Sequence, residues 1–204
     1  MKAILSAALL LALYPGPSST SGPASYSGTL ARGDTLVLEL EGDVVLHPVG
    51  GTAWRLEMAP VEQERVMGWS NRASRGPYTL RATREGSRVL VEPVPRLPAL
   101  SLGVTVSSER YRHDVYVPGT AAVTVRSGRA NVVAAGRFES LQVQGRTGTV
   151  DLRVPQGSSV DCSAPDGTVV VDGKPVGRQF NARGTGGGHY TVRLRAGTIS
   201  VGAL

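Results

Sequence analysis

The stretch RGTGGGHYTV, residues 183–192, contains the residue types of a phosphate-binding loop, with three consecutive glycines and a histidine. A dinucleotide fingerprint needs G-x-G-x-x-G between a strand and a helix, and a P-loop needs a Gly-Lys pair that opens a helix. Here His189 stands where the last glycine of the fingerprint would be, the Gly-Lys pair is missing, and an alternating strand pattern follows. We therefore predict no cofactor-binding residue in this stretch and expect a corner between strands.

The three histidines, His47, His113 and His189, do not form a metal-binding motif. No two of them have the spacing of HxH or HExxH, and no Cys/His pattern accompanies them. Isolated histidines near strand ends are mostly surface groups. We therefore expect surface positions and predict no metal ligand.

The sequence also lacks a nucleophile motif, because G-x-S-x-G is absent. Ser158 and Ser159 after Gly157, and Ser70 after Gly68-Trp69, lack the strand-to-helix elbow of that motif. Cys162 is the sole cysteine and cannot form an internal disulfide. Since its neighbour Asp161 is predicted to point outward, we expect the Cys162 thiol to be buried, protonated and inert.

Outward charges allow two interpretations of the strand-rich C-terminal half. The acidic candidates are Asp151, Asp161 and Asp172, and the basic ones are Arg126, Arg153, Arg193 and Arg195. Some parallel β-helix enzymes cleave acidic polysaccharides with clustered Asp, Arg or Lys residues on one face. Stacked opposite charges are more commonly a cross-strand pairing device. We therefore predict no catalytic residue and no enzyme, with a β-helix enzyme acting on anionic polysaccharide as the alternative.

The first residues and the overall charge bear on location and partners. One lysine, the apolar run 3–14 and a Pro/Gly/Ser stretch predict a signal peptide over residues 1–24, and the apolar run itself is too short to span a bilayer. The net charge is +6, from 22 Lys+Arg against 16 Asp+Glu, and is almost all arginine. The arginines are scattered and no pattern of stacking aromatics accompanies them, so we predict no nucleic-acid partner. No later segment is apolar enough to span a membrane.

A repeat dominates the C-terminal half. Short strands follow glycines at Gly128, Gly148, Gly167 and Gly197, with apolar residues two and four positions later, as in Val150 and Leu152. A second alternating strand precedes each of these glycines, over residues 123–125, 141–143, 160–162 and 192–194. Units of about twenty residues with one apolar face must stack to bury that face. The pattern predicts an all-β, single-stranded β-solenoid (β-helix-like) with Gly-cornered coils, and a β-sandwich is the alternative.

The first half is less regular but also rich in strands. The segment 34–49 shows the same alternation of apolar residues around a glycine, with Leu36, Leu38 and Leu40 before Gly42 and Val44 after it. Further strands are predicted within 52–58, 78–83, 87–93, 103–108 and 113–118, and the residues 61–77 form a helical turn or a loop. We predict one β-solenoid domain over 25–204, with irregular coils to about 114 and regular coils over 115–204.

These residues resemble the bacterial putative-adhesin family of exported β-solenoid domains (head-GIN adhesin-like). The resemblance rests on VYVPG at residues 115–119, which is close to the family's V-x-V-P-x-G step, on the glycine coils and on the closing cluster 186–188 before Gly197. It covers about residues 30–204 and is strongest after Val115, while Arg129-Ala130 and Thr149 replace the usual second glycine of a coil. The family implies an exported solenoid without enzymatic activity.

Three functions therefore remain open from the sequence. The first is an adhesin, surface or envelope scaffold module that binds a polymer or protein. The second is the polysaccharide enzyme, and the third is an envelope component that assembles end to end through exposed terminal strand edges. Leu204 follows the last coil without an evident cap, which favours self-association or a capping partner. We expect a periplasmic, cell-surface or secreted protein whose partner is a cell-envelope protein or an anionic polysaccharide.

Overall fold

The computed structural model describes residues 24–63, 79–94 and 109–204, and confirms the all-β class. All strands belong to one mixed sheet of fourteen strands. Their bounds are β1 Ala24–Thr29, β2 Thr35–Glu39, β3 Gly42–Val49, β4 Ala53–Gln63, β5 Leu80–Glu85, β6 Arg88–Pro93, β7 Glu109–Pro118, β8 Ala122–Ala135, β9 Ser140–Val154, β10 Ser159–Ser163, β11 Thr168–Val171, β12 Lys174–Gly177, β13 Gln179–Ala182 and β14 His189–Ala203. The predicted leader, most of the segment 61–77 and the predicted strand 103–108 lie outside the described residues. The described part contains no helix that could cross a membrane.

Three long strands, β8, β9 and β14, organise the sheet. They run parallel and in register along almost their whole length. The N-terminal part of β8 pairs with β2 and that of β14 with β10, whereas the C-terminal part of β8 pairs with β3 and that of β14 with β11. We call these the first and second half-sheets.

The core lies between the inner faces of the two half-sheets. The buried side chains form a single apolar cluster, and they alternate with outward side chains along each strand, as period two requires. Every residue predicted to point inward around the five glycine corners is buried, except Val171, which is partly buried against the cluster. The inward and outward faces predicted from the sequence are therefore confirmed.

The predicted alignment of the repeats is wrong by two residues at two places. The residue beside Gly148 on β8 is Ala130, not Gly128. On β14 the residue beside Val143 is Val192, and Leu194 lies beside Gly145. A shift of two residues leaves every side chain on the same face, so alternation alone could not reveal it.

Close backbone contact requires glycine at the corners. A Cβ atom on Gly148 would overlap the carbonyl oxygen of Ala130, one on Gly197 that of Gly148, and one on Gly167 that of Gly197. Gly148 and Gly197 also have positive φ angles of 138° and 127°. Both requirements exclude a side chain at these two positions.

The strands do not lie in space in their chain order. Strand β14 lies between β9 and β10, although it follows both in the chain. The outermost bent segment is consequently β10–β11, and the insertion 174–184 supplies two antiparallel strands, β12 and β13, that pair with it. The expectation of an uncapped last coil is therefore wrong, because the last coil is interior and short strands from the insertion cover the outer one.

The opposite end of the sheet is joined by side chains. The Tyr26 hydroxyl of β1 accepts a hydrogen bond of 2.9 Å from the backbone N–H of Leu80 in β5. Arg84 donates to the Thr29 carbonyl at 3.0 Å and forms an ion pair with the buried Asp34. These contacts hold an edge strand of each half-sheet against the other.

Candidate binding surface

The outward side of the first half-sheet is a regular polar surface, which we call the polar face. One row across it contains Thr124, Gln142, Thr191, Asp161 and Asn181, each opposite the next on neighbouring strands. The next row contains Arg126, Gln144, Arg193, Ser163 and Gln179. Because neighbouring strands are in register, parallel from β8 to β10 and antiparallel between β10 and β13, opposite side chains stand about 4.8 Å apart. The surface thus repeats amide, hydroxyl and guanidinium groups at the strand spacing.

Arginines cluster where the polar face meets the corner. We call Arg126, Arg129, Arg146, Arg193 and Arg195 the basic band; they come from three neighbouring strands, β8, β9 and β14. Three of them have acidic neighbours: Arg126 lies 3.3 Å from Glu39, Arg193 3.9 Å from Asp161 and Arg195 3.5 Å from Asp166. Arg129 and Arg146 form no ion pair with the described part of the chain. The outward set predicted from the sequence contained only Arg126, Arg193 and Arg195 of this band.

Two open pockets run along this band. The pocket over β8 and β9 has a volume of about 720 Å³, and its lining includes Arg126, Gln144, Arg146 and Arg193. A second pocket of about 720 Å³ adjoins it at Arg193 and Gly145 and extends over Asp161. Together they form a shallow groove that crosses the strands. Its lining combines the arginines and the hydrogen-bonding side chains with the carboxylates of Glu39, Glu41 and Asp161.

The second half-sheet carries a different outward cluster. Tyr116 stacks on His47 with ring centroids 4.8 Å apart, and the Arg55 guanidinium lies 4.4 Å from the Tyr116 centroid. Asp114 accepts two hydrogen bonds of 3.0 Å from Arg112 and lies 3.2 Å from His47 Nε2. Partial burial would raise the pKa of Asp114, but the hydrogen bonds from Arg112 and His47 outweigh it and lower that pKa. The faces of Tyr116 are occupied by its neighbours, so this cluster is self-contained.

The structure separates the histidines and corrects the prediction for one of them. His47 is partly exposed and His189 is exposed, but His113 is fully buried. His113 Nδ1 lies 3.2 Å from the carbonyl oxygen of Asp43, and burial lowers the pKa of the imidazole. The surface position expected for His113 is therefore wrong, because its position in β7 points inward. Among residues 24–63, 79–94 and 109–204, no three His, Cys, Asp or Glu residues meet as a metal site would need.

The three outward carboxylates considered for the enzyme alternative lie on different parts of the sheet. Asp161 is on the first half-sheet, Asp151 is on the second, and Asp172 lies in the turn after β11 with a φ of 47°. Asp151 lies 3.7 Å from Arg153. Asp161 thus has a cross-strand arginine neighbour, Arg193, as the pairing interpretation predicted, whereas Asp151 pairs with Arg153 within its own strand.

Cys162 is buried as predicted. It is 1% exposed and packs in the apolar cluster. Burial, followed by the nearby Asp161 charge, raises the pKa of the thiol to about 12. The thiolate needed for nucleophilic chemistry is strongly disfavoured at this position.

The glycine-rich stretch is a connection that packs against another turn. It links β13 to β14, and the N–H groups of Gly186 and Gly187 donate to the Gly157 carbonyl at 3.2 and 3.0 Å. Ser158 Oγ donates to the Gly187 carbonyl at 3.1 Å, and a Cβ on Gly184 would overlap the Gly157 backbone. The prediction of a corner is confirmed. The glycines allow two backbone segments to approach each other.

Comparisons with known proteins give only distant structural neighbours. No family model and no curated protein matches the chain. Two solved structures are similar: a putative cell adhesion protein from Clostridium sporogenes ATCC 15579 and a putative adhesin from Parabacteroides merdae ATCC 43184. The first is 12% identical with a TM-score of 0.49 and covers 90% of this chain and 100% of its own. The second is 11% identical with a TM-score of 0.32 and covers 74% of this chain and 61% of its own. Both TM-scores are below 0.5, so these two proteins give no argument about what this chain does.

Proposed function

We propose that the chain is an exported β-solenoid module without enzymatic activity, which binds an extended polymer or a protein on its polar face. The observation that carries the proposal is the in-register repetition of polar side chains across five adjacent strands of one half-sheet. A surface that repeats hydrogen-bonding groups at a constant spacing complements a ligand that also repeats. This role agrees with the adhesin-like resemblance of the sequence.

The strand connections support a solenoid over a sandwich. Strands β8 and β9 are adjacent, parallel and in register from Ala122 and Ser140, yet only residues 136–139 join them. Four residues span at most about 14 Å, so the end of β8 must lie close to the start of β9. Phe138 in this connection is fully buried, so the connection closes the core on a third side. A hairpin sandwich would instead reverse the direction of each successive strand.

Export is proposed from the leader. Strand β1 begins at Ala24 and pairs with β4 from Ala24 opposite Met58. Removal of residues 1–24 would leave nearly all of this pairing in place. N-terminal sequencing of the protein recovered from cells tests the proposal: a start between residues 19 and 28 supports it, and an intact Met1 contradicts it.

The absence of enzymatic activity is proposed from the separation of the carboxylates. Asp151 and Asp161 lie on different half-sheets, whereas acid–base hydrolysis of a sugar chain needs two carboxyl groups within about 10 Å on one face. Incubation with a panel of acidic polysaccharides should produce no new reducing or unsaturated ends. Turnover that is lost in an Asp161→Asn variant would establish the enzyme alternative.

End-to-end assembly is the third function. It was predicted from an uncapped last coil, whereas β12 and β13 pair with the outer segment β10–β11. Strands β12 and β13 have four residues each; β12 contains Lys174 and Pro175 and pairs with β11 through a bulge at Val169/Val170, and β13 pairs with β10. Short strands, proline, lysine and bulges are devices that discourage edge pairing. We therefore propose that this end does not associate. Light scattering over a concentration series should give a constant mass.

Matched variants on the two half-sheets test binding at the polar face. The variant Gln142→Ala/Thr191→Ala removes two adjacent polar groups from the polar face, and Thr149→Ala/Thr198→Ala removes an adjacent pair from the same two strands on the second half-sheet. Retention of polysaccharides by the immobilised 25–204 chain is the measurement, with neutral and anionic polymers in the panel. We expect the first variant to lose retention and the second to keep it. Equal losses, or no retained polymer for the unmodified chain, would contradict the proposal.

A further inference from the structure

The basic band carries an inference about the ligand class, which rests on the proposed binding function. Its arginines lie in two neighbouring rows on three adjacent strands. In the first row, Arg126 on β8 and Arg193 on β14 flank Gln144 on β9; in the second row, Arg146 and Arg195 lie between the registered pairs Gly145–Leu194 and Thr147–Ala196, and Gly128 has the β8 position. Each of the three strands therefore contributes at least one guanidinium, and the two rows cross the strands, as the groove does.

The guanidinium groups are accessible to a ligand. The side chains of Arg126, Arg193 and Arg195 are 46%, 66% and 80% exposed, and Arg129 and Arg146 are exposed as well. The ion pairs at 3.3–3.9 Å join exposed partners, and such pairs are weak. An incoming anion can therefore replace Glu39, Asp161 or Asp166 at small cost. Arg146 on the central strand forms no ion pair within the described chain and gives an anion direct access.

Charge of the opposite sign limits the band at both ends. Glu39 and Glu41 precede the corner on the β2–β3 side, and Asp161 and Asp166 lie on the β10–β11 side. An anionic chain is attracted over β8, β9 and β14 and repelled beyond them. The band therefore fits a short run of anionic groups, one for each strand.

The remaining lining distinguishes among anionic polymers. The pocket over β8 and β9 offers Gln144 and Ser127 and has no aromatic side chain in its lining, and the one aromatic residue of the adjoining pocket, Phe180, packs against the core cluster. Binding of single-stranded nucleic acid depends on stacking of bases on aromatic rings. Sugar hydroxyls, in contrast, are bound by amide and hydroxyl groups of the kind that Gln144, Ser127 and Thr191 supply. Arginine forms bidentate bonds with carboxylate and sulfate groups.

We propose that the basic band binds an acidic polysaccharide, with carboxylate-bearing sugars laid across β8, β9 and β14 and Arg146 at the centre of the contact. The strand spacing of about 4.8 Å is close to the length of one sugar ring along an extended chain. Successive sugars then present their carboxylates to successive strands. Residues Gln142, Gln144 and Thr191 bind the hydroxyl groups of the same sugars on the polar face.

Calorimetric titration of the 25–204 chain with oligogalacturonate tests the proposal, and the methyl-esterified oligomer serves as the neutral control ligand. The variants are Arg146→Ala and Arg129→Ala, and Arg153→Ala on β9 is the matched control, since it removes the same charge from an exposed position of the second half-sheet. We expect Arg146→Ala to weaken oligogalacturonate binding about tenfold, as loss of one charge-assisted contact does. Arg153→Ala should bind like the unmodified chain, and the methyl ester should bind weakly or not at all.

The outcomes separate this inference from the proposed function. Binding of the oligomer that is unaffected by Arg146→Ala, or is reduced equally by Arg153→Ala, would overturn the assignment of the band and leave the polar face as a binding surface. Equal binding of the methyl ester would overturn the requirement for charge. Poly-glutamate that binds with the same dependence on Arg146 while oligogalacturonate does not would replace the polysaccharide by an acidic protein. Failure of every polymer in the neutral and anionic panel would overturn the proposed function itself.

Discussion

Substitution of Gly148 by alanine tests the corner geometry on which the whole stack of strands depends. Gly148 has a φ of 138°, and an added Cβ would approach the Ala130 backbone within the 3.0 Å that real Cβ atoms avoid. The unfavourable φ costs about 1–3 kcal/mol, and displacement of the neighbouring strand costs about 1–3 kcal/mol more. We expect the free energy of unfolding to fall by about 4 kcal/mol. At about 2–4 °C per kcal/mol, the Tm falls by about 8–16 °C.

Two other glycines serve as matched controls for this substitution. Gly33 has a φ of 87° and open space around its Cβ direction, so Gly33→Ala measures the backbone contribution alone. Gly128 lies at the corner of the neighbouring strand, has no left-handed φ and also faces open space, so alanine should be neutral or stabilise by about 0.4–1 kcal/mol. Urea unfolding followed by circular dichroism gives all three values. A Gly148→Ala protein that unfolds like Gly128→Ala would refute the close approach of adjacent corners.

Three further predictions concern the core. Val150→Asp places a carboxylate at a fully buried position and should abolish cooperative unfolding in a thermal melt, so an unchanged Tm would refute the inward assignment. Burial lowers the pKa of His113 below its unfolded value of about 6.5; the unfolded chain therefore binds more protons in acid, and stability is retained at pH 7 and lost as the pH falls below about 6.5. The urea midpoint should consequently drop more between pH 7 and pH 5 in the unmodified chain than in His113→Gln, and equal drops would exclude His113 as the cause. The Cys162 thiol, with its pKa of about 12, should react with a thiol reagent at pH 8 only after urea unfolds the protein, and rapid labelling of the native protein would contradict its burial.

Local patterns predicted the faces of the strands well, because alternation of apolar and polar side chains is a property of neighbouring residues. Val123, Leu141 and Val160 all point inward as expected. The alignment of residues between neighbouring strands was predicted less well. Gly128 and Leu194 fit the alternation as well as the true partners Ala130 and Val192 do, and only contact between distant segments distinguishes them.

The position of β14 between β9 and β10 could not be read from the sequence for the same reason. Sequence order predicts stacking in chain order, and the pairing of β12 and β13 with the outer segment has no local signal. The basic band was only partly predicted. Each of its corners does carry an arginine within two residues of a glycine, in Gly128-Arg129, Gly145-Arg146 and Arg195-Ala196-Gly197, and this recurrence is the signal that could have indicated the band.

The late position of β14 in the chain has a consequence for synthesis. Strands β9 and β10 are translated well before β14, and each must wait for β14 to acquire the second of its two neighbours in the first half-sheet. One edge of the newly made β9 and one edge of β10 therefore remain unpaired until residues 189–203 emerge from the ribosome. Formation of the stack therefore depends on synthesis of β14, and a polypeptide stalled before β14 would present these open strand edges to chaperones and proteases.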